Sequence, residues 1–434
     1  MPWYVRTCAL VLLLALAACA ASPTSPTPAV PEGPTPLPTL PPRPTAAPSV
    51  TVVPQPTAPP SALVLWAVAD GRELAALEAL VADLAGQAGA QVLVVGKRPD
   101  ALVADMRADA LAGLAPPDLV WGTQDDLGVL QRAGMLQPPA DGLDEGAFLP
   151  ALVSGATIDG QRWGTPLAAQ GYLLLLFNRK LANSAPRTTD ELISRARSLT
   201  VGDRYGLVAA WAEPRWFTAW LNGFAGAPLG ADGRPALDTP QMLAALNLLK
   251  ELRPAGPPPP STYDEGVRLF RQGRAAFAID GDWSLAGYRE YTDTLDIGVA
   301  ALPLVPATQR VAAPAFGGMY LMYSAQLGGA RLDQARALGR GLAGAEAQAR
   351  VAAELGRLPA LRAALGAAGV ARDPALAAAA AMAVAAPGLP PSAMLRCAWD
   401  AIGAHLPPVL LGSATQEQAA QAMQESADAC AAAP

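Results

Sequence analysis

The 434-residue chain has little of what catalytic and metal-binding sites usually require. It contains one histidine, His405, and its four cysteines show no Cys-x-x-Cys spacing. A single histidine excludes histidine-based metal clusters and nearly all histidine-dependent acid–base or nucleophilic chemistry. The cysteine spacing argues against zinc and iron–sulfur sites. We therefore expect no metal, no cofactor and no catalytic residue, and we take His405 as a surface or cap residue.

Charge is also scarce. Charged residues make up 16% of the chain, and 31 basic against 37 acidic residues give a net charge of −6. Nucleic acid requires a basic surface that displaces counterions, so this balance argues against nucleic acid as a partner. Hydrophobic residues reach 52%, which excludes a disordered chain, and the length suits two or three compact units.

The apolar run near the N-terminus is too short to cross a membrane. It covers residues 9–18, whereas a spanning helix needs about 20 apolar residues. Such a run is typical of a secretion signal. Its end, the tetrapeptide LAAC that closes on Cys19, resembles the lipobox of bacterial lipoproteins. This resemblance implies a signal peptide over residues 1–18, a lipid on Cys19, and export to the outer face of the cell membrane or the periplasm.

A proline-rich segment follows the predicted lipid anchor. Fifteen prolines lie within residues 21–60, interleaved with serine and threonine. Because proline fixes φ and lacks an N–H donor, this segment cannot pack as a helix or a central strand. We predict a disordered, extended tether over residues 19–60.

Two cysteines remain free after the predicted processing. Removal of the signal peptide eliminates Cys8, and acylation blocks Cys19, which leaves Cys397 and Cys430 in an oxidising compartment. We predict that these two form a disulfide. The prediction is based on the oxidising compartment and not on the spacing of the two cysteines in the sequence.

From Ser61 onward the chain has the pattern of a globular α/β protein. Residues 62–68, 91–96 and 117–122 read as buried strands, and residues 72–89 carry apolar side chains at helical spacing. Strands that alternate with helices indicate parallel sheets. About 370 residues of this kind are enough for two lobes.

Residues 158–192 combine three local motifs. The turn DGQRWGTP leads into an apolar strand that ends in NRK at 178–180, and PRTTDEL at 186–192 reads as a helix start. Together these motifs resemble the crossover region of extracellular solute-binding proteins of the maltose-binding-protein type. Trp163 belongs to the turn, and we expect it to be structural.

The resemblance continues in order along most of the chain. Residues 269–285 are similar to the family's stretch that leads to glycine-x-tryptophan. Residues 297–303 and 315–325 resemble a strand followed by a glycine-rich return crossover, and residues 398–423 resemble the closing helix pair. Matches in this order are far more specific than any single motif.

The resemblance implies a two-lobed clamp, the type II periplasmic-binding fold, in which the ligand lies between the lobes and favours the closed state. Three crossovers near residues 168–172, 316–320 and 371–375 would form the hinge. The implied lobes are an N-terminal lobe of residues 61–167 plus 320–371 and a C-terminal lobe of residues 172–316 plus 375–434.

The family's binding positions point to several residues of the N-terminal lobe. An acidic–basic pair follows the first strand, which Asp70 and Arg72 match here, although a helix-start aspartate is an equal alternative. After the third strand the family presents an aromatic ring and a carboxylate, which Trp121 and Asp125 match. Trp121 could instead be a core residue, and Asp126 could replace Asp125.

The remaining candidates lie at the first crossover and in the C-terminal lobe. Gln170 replaces a glutamate of some sugar-binding relatives, and its amide both donates and accepts hydrogen bonds. Glu213, Arg215 and Trp216 resemble a glutamate–proline–tyrosine motif of the family with Arg-Trp in place of the aromatic. Trp283 and Trp399 match positions where the family stacks an aromatic ring on its ligand. We expect Trp211 and Trp220 to be core residues.

The resemblance implies a monomeric, lipid-anchored protein that captures a mono- or oligosaccharide and delivers it to the permease of an ABC importer. Other ligands stay open, namely a sugar phosphate, a polyamine or a peptide. So does a sensor or adhesion lipoprotein that serves no permease. An exported hydrolase is disfavoured, since the chain has no GxSxG, P-loop or HExxH motif.

Overall fold

The computed structural model describes residues 62–390 and 392–432. The predicted signal peptide, the tether and the lipidation site Cys19 lie outside these residues. The strands of the described chain are β1 (Leu63–Val68), β2 (Val92–Lys97), β3 (Leu119–Thr123), β4 (Leu136–Gln137), β5 (Thr157–Ile158), β6 (Gln161–Arg162), β7 (Thr165–Gln170), β8 (Leu173–Asn178), β9 (Tyr205–Val208), β10 (Ala275–Gly281), β11 (Ile297–Ala300), β12 (Leu304–Val305), β13 (Arg310–Val311), β14 (Gly317–Ser324) and β15 (Leu358–Pro359).

Helices alternate with these strands through much of the chain. They are α1 (Gly71–Gln87), α2 (Leu102–Leu111), α3 (Gln124–Arg132), α4 (Pro150–Gly155), α5 (Thr189–Leu199), α6 (Pro214–Gly223), α7 (Pro240–Leu252), α8 (Tyr263–Arg271), α9 (Leu285–Tyr288), α10 (Gly329–Ala343), α11 (Ala345–Glu354), α12 (Ala368–Arg372), α13 (Pro374–Ala383), α14 (Ala393–Leu410) and α15 (Gln416–Ala432). The three strands and the helix that we predicted in the first 60 globular residues appear as β1, β2, β3 and α1.

Two separate sheets divide the molecule into two lobes. The N-terminal lobe has a sheet in the order β15-β7-β14-β3-β1-β2, with β4 also paired to β14, and the C-terminal lobe has a four-stranded sheet in the order β11-β8-β10-β9. Strand β8 reads LLLLFN and is buried along its whole length. A continuous apolar run of this kind is typical of a strand covered on both faces, here by helices. This architecture is the two-lobed α/β clamp fold that the sequence predicts.

The chain passes between the sheets at short connections. Strand β7 ends at Gln170 and β8 begins at Leu173, so two residues link one lobe to the other. The first of them, Gly171, has a φ of +68°, a left-handed conformation that glycine adopts without steric cost. The chain returns in β14, whose Gly317 pairs with Gln170. The exact lobe boundaries stay a prediction.

The C-terminal helices α14 and α15 form an antiparallel pair. A disulfide joins Cys397 on α14 to Cys430 on α15, with the two Cα atoms 5.6 Å apart. These are the two cysteines that we expected to pair. His405 lies farther along α14, half-buried, and its Nε2 is 2.8 Å from the hydroxyl of Ser426 on α15. The histidine therefore holds two helices together.

Among the described residues, no helix has both the length and the apolar character that a membrane-spanning segment needs.

Candidate ligand-binding cleft

A cavity of about 180 Å³ lies between the two lobes. It opens where β3 and β7 end, which agrees with the rule that ligands bind beyond the carboxyl ends of strands in open α/β sheets. Side chains from both lobes and from the crossovers surround it. The lining residues are Thr123, Gln124, Asp125, Gln170, Gly171, Leu173, Arg215, Trp216, Trp283, Pro314, Ala315, Phe316, Gly317, Gly318, Leu389, Leu395 and Trp399.

The turn between β3 and α3 forms the polar wall of the N-terminal lobe. Thr123 caps α3, and Asp126 completes the cap because its Oδ2 accepts hydrogen bonds from the Thr123 N–H and Oγ1, both at 2.8 Å. Burial raises the pKa of Asp126, although the hydrogen bonds from Thr123 oppose the shift. Asp125, one residue earlier, is exposed and lines the cavity. Asp126 is therefore part of the helix cap, whereas Asp125 is free to contact a ligand.

Aromatic rings form the facing wall in the C-terminal lobe. Trp216 contacts Trp283 and Tyr263 edge to face, with ring centroids 5.9 and 6.0 Å apart. The indole N–H of Trp216 donates to the carbonyl of Ile279 at 3.0 Å, which ties this ring to β10. Trp283 is 53% exposed. A large apolar ring left this open beside a cavity is available to stack on a ligand.

A buried carboxylate, that of Asp280, is hydrogen-bonded to tyrosines that pack behind the aromatic wall. Asp280 lies at the end of β10, and its two carboxylate oxygens accept hydrogen bonds from the hydroxyls of Tyr263 at 3.0 Å and Tyr288 at 2.5 Å. The hydroxyl of Tyr263 in turn accepts from the indole N–H of Trp283 at 3.3 Å. Burial raises the pKa of Asp280 and raises that of Tyr263 to about 12. The network holds Trp283 in one orientation.

Helices α14 and α6 contribute further side chains to the C-terminal wall. Leu395 and Trp399 are four residues apart on α14, so they lie on the same face of the helix, and both line the cavity. Arg215 is exposed in the first turn of α6, directly after the helix-starting Pro214. The guanidinium is therefore free to contact a ligand.

An ion pair and a carboxylate surround the hinge beside the cavity. Arg357 donates from Nη2 to Glu73 at 2.9 Å and from Nη1 to the side-chain oxygen of Gln170 at 2.8 Å. Because that oxygen of Gln170 already accepts a hydrogen bond, its NH₂ group is the part left to donate to a ligand. Asp282 accepts from the N–H of Gly171 at 3.1 Å. Burial raises the pKa of Asp282 to about 6.

Six of the ten predicted binding residues line this one cavity, namely Asp125, Gln170, Arg215, Trp216, Trp283 and Trp399. The structure places the other four elsewhere. Asp70 and Arg72 are exposed at the start of α1, and Glu213 is half-buried directly before α6, but none of the three is a lining residue.

Trp121 is the largest departure from the predicted site. It is a wholly buried core residue in the middle of β3, paired with Ala67 of β1 and Leu321 of β14. The cleft begins two residues later, where the strand ends, so only Thr123 and its successors reach it. The alternative role as a core residue describes what the structure shows.

The other tryptophans outside the cleft pack inside the protein. Trp211 and Trp220 are buried in the C-terminal lobe, as expected, and Trp163 is partly buried against the core. Sequence reasoning missed Tyr263, Gln124 and Leu389. The segment that contains Tyr263 (STYDEG) reads only as a helix start, and no local signal shows that its hydroxyl meets Trp283.

The part of the chain that the structure describes contains no group of histidine, cysteine, aspartate and glutamate side chains suited to a metal ion.

Comparison with known proteins identifies relatives of the same kind. The chain is 24% identical over 271 residues to a maltotriose-binding protein of Pyrococcus abyssi, a match that covers 61% of this chain and 58% of that protein. It is 28% identical over 229 residues to the maltodextrin-binding protein MdxE of Bacillus subtilis, covering 48% and 52%. The chain thus spans little more than half the length of the curated relatives that it matches.

Solved structures agree on the fold. The maltose-binding periplasmic protein MalE of Listeria monocytogenes, solved in complex with maltose, superposes with a TM-score of 0.74 at 20% sequence identity. The superposition covers 85% of this chain and 97% of that one. At this identity the likeness establishes the fold alone.

A family model settles the broader assignment. The model described as bacterial extracellular solute-binding protein matches residues 79–378, which is well over half of the chain and runs from α1 into α13. The matched region includes the C-terminal sheet, every strand of the N-terminal sheet except β1, and most of the cleft. The chain belongs to the family of bacterial extracellular solute-binding proteins.

Proposed function

We propose that the chain captures a carbohydrate in the cleft between its lobes. The observation that carries this proposal is the convergence of three tryptophans, Trp216, Trp283 and Trp399, with a few polar side chains around one cavity. Sugar rings have apolar C–H faces that pack against flat indoles, while their hydroxyls need hydrogen-bond donors and acceptors. Asp125 offers an acceptor, and the NH₂ group of Gln170 offers a donor.

The charge of the cleft favours a neutral ligand. Its described lining residues include one carboxylate, Asp125, and one guanidinium, Arg215. A sugar phosphate requires an excess of cationic groups, and a polyamine requires an excess of carboxylates. Because the two charges offset each other, this lining supports an uncharged polar ligand over either alternative.

The names of the relatives indicate which sugars to test first. The Pyrococcus abyssi protein is named for maltotriose and the Bacillus subtilis protein for maltodextrin. The cavity of about 180 Å³ is smaller than the roughly 300–1,000 Å³ of most ligand pockets. In this conformation the cleft therefore favours one or two sugar rings over a long oligosaccharide.

Isothermal titration calorimetry of the purified full chain tests the proposal. The panel contains glucose, maltose, maltotriose, glucose-6-phosphate, spermidine and a tripeptide. We expect saturable binding of at least one neutral sugar and little heat from the phosphate, the polyamine or the peptide. Binding of a charged ligand alone would contradict the carbohydrate assignment.

We also propose that the protein is exported, anchored by a lipid on Cys19, and delivers its ligand to an ABC importer. Membership of the solute-binding family supports a role in uptake, and the LAAC tetrapeptide supports the anchor. Cell fractionation of Cys19→Ser tests the anchor, since loss of the lipid should release the protein from the membrane fraction. An unchanged membrane fraction would contradict it. Uptake of labelled sugar with and without the protein tests delivery and separates an importer from a sensor.

A further inference from the structure

A second cavity, of about 430 Å³, lies in the C-terminal lobe outside the cleft. The end of α7, the short helical turn Arg253–Ala255, the segment that follows it, and the end of α14 surround this cavity. None of its lining residues also lines the cleft. Along α14, Trp399 at the cleft and Leu410 at the second cavity are separated by about 16 Å, at 1.5 Å per residue. The second cavity is thus a separate site.

An unpaired guanidinium lines this cavity. Arg253 is only 8% exposed, and its Nε is buried without a hydrogen-bond partner. Its Nη2 makes one long contact of 3.5 Å with the hydroxyl of Ser261. Among the described residues, no carboxylate comes within ion-pair distance of it, and burial lowers its pKa with only Glu265 acting in opposition. A buried cation without an anionic partner is energetically costly.

The protein itself offsets part of that cost. The Arg253 guanidinium lies 5.2 Å from the ring centroid of Trp211, a cation–π contact. Arg253 also directly follows α7, where the helix dipole favours a positive charge. Neither interaction supplies a hydrogen-bond acceptor to Nε. Because Nε itself is closed to solvent, the donors that an anion in the cavity can use are those of the terminal nitrogens, where Nη2 has only the long contact with Ser261 and Nη1 has no hydrogen bond among the described residues.

The rest of the cavity indicates what kind of anion fits. Lys250 lies three residues before Arg253 and is exposed on the same cavity, which adds a second cation. Pro258, Pro259 and Leu411 give the cavity an apolar surface, and Leu411 is 59% exposed. Two cations beside apolar walls suit an acid group that carries a short hydrocarbon chain better than they suit a fully hydrated inorganic ion.

We propose that this cavity is a second ligand site that binds a small organic carboxylate. The carboxylate pairs with Arg253 and Lys250, and its hydrocarbon chain packs against the prolines and Leu411. The proposal does not depend on what the cleft binds.

The test uses calorimetric titration of the full chain with sodium hexanoate, with sodium phosphate and sodium chloride at matched ionic strength as comparisons. We expect saturable binding of hexanoate and no saturable binding of chloride. Absence of hexanoate binding would overturn the proposal. Saturable binding of phosphate without hexanoate would overturn the carboxylate assignment.

Surface variants locate the binding without touching the buried arginine. Leu411→Asp places a negative charge at the rim and should weaken hexanoate binding roughly tenfold, and Lys250→Gln should weaken it by several-fold. Leu114→Asp is the matched control, because Leu114 is 58% exposed in the N-terminal lobe, and its affinity should equal that of the wild type. Equal affinities in all four proteins would overturn the site assignment.

Discussion

The two walls of the cleft are built in different ways. The N-terminal lobe contributes polar groups from one short turn, Thr123 to Asp125, where a strand ends and a helix begins. The C-terminal lobe contributes aromatic rings from three separate segments around Trp216, Trp283 and Trp399. The polar wall is thus set by local chain geometry, whereas the aromatic wall requires the whole lobe to fold.

This difference predicts that the aromatic wall determines affinity and the polar wall determines selectivity among sugars. Aromatic rings contribute affinity through buried area and stacking, which exceed a single hydrogen bond in free energy. Hydrogen bonds add about 0.5–1.5 kcal/mol each, or about 1.5–3 kcal/mol when one partner is charged, and they discriminate between hydroxyl arrangements. Substitutions in the aromatic wall should therefore weaken all bound sugars, and substitutions in the polar wall should change which sugar is preferred.

The largest expected effect is that of Trp283→Ala. Loss of the exposed ring should weaken sugar binding by roughly 10- to 100-fold, because both buried area and stacking are removed. Calorimetric titration with the best sugar of the panel measures it. Tyr291→Ala is the control, since Tyr291 is also an exposed aromatic of the C-terminal lobe but does not line the cleft. An affinity of Trp283→Ala within twofold of the wild type would contradict a role of the aromatic wall in sugar binding.

Asp125 and Asp126 are adjacent in the polar wall but should have different roles. Asp125→Ala should weaken binding by roughly tenfold or more, the size of one hydrogen bond to a charged group, and leave the free energy of unfolding nearly unchanged. Asp126→Ala should instead lower the free energy of unfolding by about 1–2 kcal/mol, because it removes the side-chain acceptor that completes the capping box of α3. Chemical denaturation and sugar titration of both variants measure the two quantities. The opposite pattern would assign the ligand contact to Asp126.

The hinge supplies a prediction about pH. Asp282 has a pKa of about 6 in the folded protein against an ordinary value of 3.8, so between these values the folded state holds a proton that the unfolded state releases. Asp282 should therefore contribute a decrease in the free energy of unfolding as pH rises from about 4 to about 6. Asp282→Asn should remove roughly 1–3 kcal/mol of this decrease.

Urea unfolding across this pH range measures the effect. The exposed Asp293→Asn variant is the control and should keep the wild-type dependence on pH. Identical slopes in Asp282→Asn and the wild type would show that the carboxylate at the hinge does not hold a proton at pH 5.

The smallest expected effect concerns a hydrogen bond between the lobes. Gln124 on α3 donates from its side-chain nitrogen to the carbonyl of Leu389, in the segment before α14, at 3.1 Å. We expect this bond to form only when the lobes are close, so Gln124→Ala should favour the open state and weaken sugar binding by about two- to fivefold. Small-angle scattering of the unliganded variant should give a radius of gyration equal to or larger than that of the wild type. A smaller radius would contradict the role in closure.

Most of the fold was predictable because its signals are local or ordered along the chain. Buried strands, the crossover turn around residues 158–192 and the helix pair at the C-terminus each occupy one stretch of sequence. Six lining residues of the cleft were predictable for the same reason, since they follow recognisable strand ends and helix starts. The implied clamp fold is confirmed by the two sheets and by the solved structure that superposes on the chain.

The features of the cleft that were not predicted depend on contacts between residues far apart in the sequence. Trp121 and Asp125 differ by only four positions, yet one belongs to the strand and the other to the turn beyond it, and composition does not show where the strand ends. Tyr263 reaches Trp283 through a hydroxyl contact across 20 residues, and Arg357 joins Glu73 to Gln170 from distant parts of the chain. Such pairings arise from tertiary packing.

The most direct test of sugar binding in the cleft is a crystal structure of the protein with the tightest-binding sugar of the panel. We expect a sugar ring against Trp283 and Trp399, with a hydroxyl within 3.2 Å of a carboxylate oxygen of Asp125. A sugar bound elsewhere, or one in the cleft with both indoles turned away from it, would contradict the account.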